Sequence, residues 1–257
     1  MSFDADLNAC AALVEKGDPW RFRGAMSAPV AARRVLFPLY AFNVEVARAP
    51  WVTQEPMIAE MRLQWWRDVC EEIAEGKQVR RHEVTTPLSA VLSAEDASLL
   101  DRLVAARRWD IYRDPFEDET HFANYMDETA GALTWVAAKS LGAADEGVVR
   151  DAGFAIGIAA WLSAIPELEA RGRIPLLDGT GDGVKQLAEE ALARLAAARR
   201  QRRKVSRAAR AALWHVGMAD VVLRAAVQDP AMVGAGALPD PVTADRRLAF
   251  RALTGRW

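Results

Sequence analysis

The stretch PLYAFNVEVARAPW, residues 38–51, decides how this chain is read. It is an apolar, helix-forming segment, and it contains no aspartate. A second helix pattern, EMRLQWWRDVCEEI, follows at residues 60–73. Adjacent tryptophans, Trp65 and Trp66, point to different faces of such a helix. One is expected to pack in the core and the other to meet a neighbouring helix or a partner.

The rest of the chain carries the same signature. Alanine, leucine, arginine and glutamate dominate, all good helix formers, and β-branched runs alternating with period two are scarce. The patterns predict helices over residues 4–16, 29–49, 55–75, 94–113, 119–141, 146–170, 183–198, 206–227 and 243–253. The stops are physical. Gly17-Asp18-Pro19 breaks the first helix, and Glu75-Gly76-Lys77 ends the third. Ser93-Ala94-Glu95-Asp96 has the capping-box pattern, in which two side chains satisfy free N–H groups at a helix start. Residues 178–183 and 234–241 read as loops. No internal repeat and no long linker interrupts the chain. The expectation is an all-α fold, one domain over residues 1–257.

Composition narrows the function. Half of the 257 residues are hydrophobic, enough for a sizeable core, and the net charge is −2, so whole-molecule charge gives no reason to expect a nucleic-acid partner. The two cysteines, Cys10 and Cys70, have no zinc or CxxC spacing and fit a reducing, cytoplasmic compartment. The N-terminus reads as neither a secretory signal nor a transit peptide. The longest apolar run, residues 153–166, is short for a membrane span.

In its motifs the chain resembles the squalene/phytoene synthase family, all-helical enzymes that join two prenyl diphosphates head to head. The resemblance runs over residues 18–173 and weakens towards the C-terminus. Its anchors are Asp18-Pro19-Trp20, Leu39-Tyr40-Ala41-Phe42, Arg62-Leu63-Gln64-Trp65-Trp66-Arg67-Asp68, Tyr125 with Thr129-Ala130-Gly131, Gly153-x-Ala155 and Arg171-Gly172-Arg173. Their order and spacing carry it. It implies a single-domain isoprenoid (trans-prenyl) synthase-like helical bundle.

That family's chemistry, as the resemblance implies it, rests on two aspartate-rich helices. Carboxylates one helical turn apart share a face and hold magnesium through hard oxygen ligands. The metal then stabilises the departing diphosphate. Counted from the Tyr-Ala-Phe anchor, the first motif's aspartates fall on Ala47, Arg48 and Trp51. Asn43 and Val44 stand where the family has Cys-Arg. Counted back from Arg171-Gly172-Arg173, the second motif's aspartates fall on Ala164 and Leu168, and the arginine before them on Ser163. The family's Gln-x-Thr-Asn run becomes Gly157, Ala159 and Ala160. The resemblance therefore predicts no magnesium site, no cofactor and no catalytic residue. With Trp161, Ala164 and Leu168 in place of a polar wall, the old cavity is expected to be smaller and drier, or filled. Tyr40, Asn43, Val44, Tyr125, Gly157 and Trp161 are the candidates for a residual pocket.

Other features have ordinary readings beside sharper ones. Glu45 is a candidate replacement ligand, but it lies about 200° around the helix from Ala47. An ion pair with Arg48 at i, i+3 is the plainer expectation. Arg62, Gln64 and Arg67 join the two tryptophans as candidate cavity lining. His121 near Tyr125, Asp127 and Glu128 lacks a second ligand one turn away. The glycines of residues 179–183 lack a phosphate loop's ending. The basic run ARRQRRKVSRAAR, residues 198–210, offers Arg199, Arg200, Arg202, Arg203, Lys204, Arg207 and Arg210 as a solvated helix face, a surface for a protein partner or one for an anionic membrane.

The wording of residues 41–48 and 62–67 is similar to a branch of the family that includes a mitochondrial complex I (NADH:ubiquinone oxidoreductase) assembly factor and its bacterial relatives. This implies a non-catalytic accessory role with a protein client, a complex I subunit or assembly intermediate. The expected location is cytoplasmic, at the inner membrane surface if the basic run binds lipid. Two alternatives stay open. One is an active prenyltransferase whose ligands are rearranged onto Asp68, Glu71, Glu72, Asp127 and Glu128. The other is a prenyl-lipid-binding protein without turnover.

Overall fold

The computed structural model describes residues 3–240 and 248–257, and helices are its only regular elements among these residues. Helix α1, Phe3–Gly17, ends where the sequence breaks, but the break also starts something. Asp18 accepts a hydrogen bond from the Arg21 N–H and caps α2, Pro19–Ser27, with proline at its first position. This short helix was not expected, because a Gly-Asp-Pro triplet reads equally as a stop and as a cap-plus-start.

Helix α3 spans Val30–Arg48, and a single 3-10 turn, Ala49–Trp51, extends it. Helix α4, Pro56–Ala74, places Trp66 in the core and leaves Trp65 half-buried. The two rings meet edge to face with centroids 4.7 Å apart. A five-residue helix α5, Thr85–Ser89, follows, also unforeseen. Helix α6, Ala94–Ala106, opens with the capping box Ser93–Asp96, both of its hydrogen bonds made, and tightens into a 3-10 turn at Arg107–Asp110.

The helix expected over residues 119–141 is realised as α7, Glu119–Met126, a π turn at Asp127–Gly131, and α8, Ala132–Leu141. Then come α9, Glu146–Ala170, and α10, Gly181–Arg200. The expected helix at 206–227 is divided, with a 3-10 turn at Ala209–Leu213 before α11, Val216–Gln228. Helix α12, Ala231–Gly234, and α13, Leu248–Thr254, are the last helices among the described residues. Residues 243–247 of the last expected helix lie outside the described residues.

Helix α9 organises the bundle. It packs against α8, α10, α11 and the π turn. Buried residues surround its axis, among them Val149, Phe154, Ile156, Ile158 and Leu162, as a central core helix requires. It is long and apolar enough to cross a membrane by length and composition, yet 67% of that apolar window is buried inside the protein itself. Two glycines let it approach the π turn. A Cβ on Gly153 would stand 2.9 Å from the Gly131 Cα and 3.0 Å from the Ala130 carbonyl oxygen, and one on Gly157 would stand 2.7 Å from the Ala130 Cβ. The anchors Thr129-Ala130-Gly131 and Gly153-x-Ala155 are thus two sides of one close helix contact.

Candidate functional site

The ends of α3 and α9 converge on a cleft of about 1030 Å³. Helix α1 contributes Ala9, Ala12, Leu13 and Lys16; α3 contributes Asn43, Val44, Ala47 and Arg48; α9 contributes Gly157, Ala160, Trp161, Ala164 and Leu168. All five positions matched to metal-binding aspartates, Ala47, Arg48, Trp51, Ala164 and Leu168, line this one space. They come from segments more than a hundred residues apart, and the fold brings them together.

The cleft is open, so the expectation of a filled cavity is not met. The reason is volume. Ala47, Gly157, Ala160 and Ala164 are small, so the residues found there leave room instead of filling it. The indole of Trp161 is held aside. It donates from Nε1 to the Pro175 carbonyl at 2.9 Å and packs against Trp109, Phe116, Phe122 and Tyr125.

Five of the six pocket candidates line the cleft: Asn43, Val44, Tyr125, Gly157 and Trp161. Tyr40 does not. It is 2% exposed and turned into the core, its ring meeting His215 edge on at 6.1 Å. Tyr40 lies on nearly the same face of α3 as Val44 and Ala47, one and two turns earlier, so its depth along the helix, not its facing, keeps it off the cleft. Arg62 and Gln64 are exposed and, like Trp65, Trp66 and Arg67, lie off the cleft.

The cleft carries charge of both signs. Carboxylates are present at Asp18, Glu83, Asp110 and Glu167, and cations at Lys16, Arg21, Arg48, Arg107 and Arg171. Three carboxylates are occupied by an arginine three or four residues away: Asp18 by Arg21, Asp110 by Arg107 and Glu167 by Arg171. Among the described residues no three His, Cys, Asp or Glu side chains form a group able to hold a metal ion. Glu45 makes the expected pair with Arg48, at 3.1 Å. The acids proposed for rearranged ligands are used elsewhere. Asp68 and Glu72 pair with Arg80, Asp127 with Arg150 and Glu128 with Arg102, and neither these four nor Glu71 line the cleft.

A buried polar triad closes one side. The Tyr125 hydroxyl donates to Asp110 Oδ1 at 2.8 Å, and Arg107 Nη1 donates to the Tyr125 oxygen at 2.8 Å and to Asp110 Oδ2 at 3.2 Å. Burial first, and then the adjacent Asp110, hold the phenol proton well above its ordinary range. The Tyr125 phenol therefore orients donors and acceptors on the wall and is not a neutral-pH base. Both cysteines are free and buried, and burial, reinforced by Glu83 and Asp6, pushes the Cys10 thiol up to about 12. Neither is an activated nucleophile.

Sequence reasoning missed Lys16, Arg21, Glu83, Arg107, Asp110 and Arg171 as lining residues. Arg21 and Arg107 had a usable signal, an acid three residues away on a helical pattern. Lys16 and Glu83 had none.

The model of the squalene/phytoene synthase family matches residues 14–176. The chain belongs to the squalene/phytoene synthase family. The match spans the cleft walls from the end of α1 to the segment after α9. Among curated proteins, this family member is 33% identical over 192 residues to the NADH dehydrogenase (ubiquinone) complex I assembly factor 6 homolog of Drosophila melanogaster, covering 68% of this chain and 56% of that protein. It is 27% identical over 181 residues to complex I assembly factor 6 of Homo sapiens, covering 64% of this chain and 51% of that one. The chain thus spans about half the length of the curated relatives it matches. In structure it is similar to a dehydrosqualene synthase crystallised with ligand, with a TM-score of 0.74 at 14% identity over 98% of this chain and 95% of that one. It is also similar to the squalene synthase HpnC from Alicyclobacillus acidocaldarius, with a TM-score of 0.70 at 17% identity over 92% and 96%. These two establish the all-α isoprenoid synthase fold.

Proposed function

We propose that this family member is an accessory factor without prenyl-transfer activity, serving the assembly of respiratory complex I through a protein client. The observation that carries the reading is the set of side chains at Ala47, Arg48, Trp51, Ala164 and Leu168. Two alanines, a leucine, a tryptophan and an arginine leave these five positions without the carboxylates that would hold magnesium against a leaving diphosphate. The likeness to the complex I assembly factor 6 proteins supports the direction of the proposal, and the client is a complex I subunit or an assembly intermediate.

The test has two arms. Cells lacking the protein are assayed for NADH:ubiquinone oxidoreductase activity and for the intact complex on native gels; a normal complex in those cells sinks the assembly role. The purified protein is incubated with farnesyl diphosphate and magnesium; diphosphate release sinks the non-catalytic reading.

The open volume of the cleft favours a second reading, a prenyl-lipid binder without turnover. Its small apolar wall beside Arg48 and Arg171 suits an amphiphile with an anionic head. Farnesyl diphosphate binding that is unchanged when magnesium is chelated supports this reading, and absence of binding removes it.

A further inference from the structure

The seven basic residues between positions 199 and 210 do two different jobs. Arg199, Lys204 and Arg210 work internally. Arg199 donates from Nη1 to Asp220 and from Nε to the Trp257 carbonyl, both at 3.2 Å. Lys204 reaches Asp145 at 3.4 Å. Arg210 donates to three carbonyls, those of Val205 at 2.9 Å, Arg202 at 3.0 Å and Gly255 at 3.4 Å. One guanidinium thereby ties the 3-10 turn at Arg202–Lys204 to the residues that follow α13.

The remaining four, Arg200, Arg202, Arg203 and Arg207, are exposed, and their side chains have no ion pair or hydrogen bond among the described residues. Arg256, beside the clamped Gly255, is in the same condition. Glu190, one of the acids on α10 before this run, pairs with Arg194 at 2.7 Å. Helix α13 adds a second ingredient. Its inner side buries Leu248 and lays Arg251 against Gly217. Its outer side presents Phe250, 56% exposed, and Leu253, 80% exposed, three residues apart.

We propose that Arg200, Arg202, Arg203, Arg207 and Arg256, together with Phe250 and Leu253, form a surface that docks this protein on an anionic lipid bilayer. Guanidinium groups without internal partners are drawn to anionic headgroups within a Debye length. The exposed phenyl and isobutyl groups of α13, the helix whose following residues Arg210 clamps to the basic run, seat at the boundary between headgroups and acyl chains. Either attraction alone gives marginal attachment, and the pair gives stable attachment. A nucleic-acid phosphate backbone or an acidic protein tail would use the arginines and leave Phe250 and Leu253 in water. The proposal goes beyond the client reading and does not depend on it.

The test uses the full chain and vesicles of phosphatidylcholine, with and without phosphatidylglycerol, in co-sedimentation. Binding is expected only with phosphatidylglycerol, and it should weaken by about tenfold or more when salt is raised. Arg202→Glu with Arg203→Glu and Arg207→Glu should abolish it. The clamp survives these changes, since Arg210 uses the Arg202 carbonyl and not its side chain. Phe250→Ser with Leu253→Ser should leave a weaker association that salt removes completely. Lys185→Glu, a charge reversal at an exposed position on α10, should bind as the parent does. Matching melting temperatures show that each variant folds. Equal binding to neutral vesicles overturns the proposal, and so does a charge-reversed variant that binds like the parent. No binding to anionic vesicles at low salt also overturns it and leaves the arginines to an acidic protein. Complex I assembly is read separately, so failure of either idea is distinguishable from failure of the other.

Discussion

Arg171 lays its guanidinium carbon 4.7 Å from the centre of the Trp51 ring. The contact joins the end of α3 to the end of α9 across the mouth of the cleft, at two positions that both line it. Arg173 reaches the same ring from 5.8 Å and stacks on Trp109 at 4.5 Å. Where the family resemblance places an aspartate and its metal, an indole and two guanidinium groups hold the helices together.

Arg171 is partly exposed and also paired with Glu167, so the contact is of the weaker kind. Replacing Arg171 with Gln should cost about 0.5–1 kcal/mol. That lowers the melting temperature by about 2 °C for a chain of this size. A scanning-calorimetry comparison with Trp51→Leu, and with the double variant, should show the two losses failing to add.

Gly153 faces backbone and not the flexible end of a side chain. A Cβ there meets the Gly131 Cα at 2.9 Å and the Ala130 carbonyl oxygen at 3.0 Å. Gly153→Ala should therefore push α9 from the π turn and destabilise the fold by about 1–3 kcal/mol in urea unfolding. Gly179→Ala is the control. A Cβ there meets nothing within 4 Å, and the change should stay within about 0.5 kcal/mol.

Tyr125→Phe removes one hydroxyl and leaves Asp110 facing Arg107 alone. The lost hydrogen bond and the exposed lone pairs should cost about 1–3 kcal/mol. Replacing Asp110 with Asn should cost more, because it leaves the half-buried Arg107 cation without its counter-charge. The order of the two unfolding midpoints checks this.

His215 is 2% exposed, and its Nε2 has no hydrogen-bond partner among the described residues. Burial, with the neighbouring Arg21 adding to it, pushes its pKa down from 6.5 to about 3. The folded protein keeps the ring neutral over that interval, while the unfolded chain takes up a proton below about pH 6.5. Stability should then fall as pH drops from about 6.5, by up to about 1.4 kcal/mol per pH unit from this group. In His215→Gln the part of the slope between about pH 6.5 and 5 should disappear. Unfolding free energies measured across that range decide it, and an unchanged slope assigns the effect to other groups.

The amino-acid sequence by itself determined the helices that repeat an apolar face, because a 3.6-residue period needs no tertiary information. It determined the capping box at Ser93 and the pair of Glu45 with Arg48, since both depend on neighbours three residues apart. The ordered anchors gave the family, and some of them proved to be structural. Asp18 caps α2, Gly153 admits the π turn, and Arg173 donates to the Trp109 carbonyl at 2.7 Å.

What only the tertiary structure decided is where faces point and how much room lies between them. Tyr40 and Asn43 sit one turn apart on α3, yet one is core and the other cleft, because the helix runs out of the core, where Tyr40 meets His215, into the cleft. The cleft is open because small residues of α3 and α9, distant in sequence, oppose each other. Arg210 joins the basic run to the C-terminal helix through carbonyl groups, which leave no mark in a side-chain pattern. Contacts between segments far apart along the chain depend on packing geometry, and no local period encodes it.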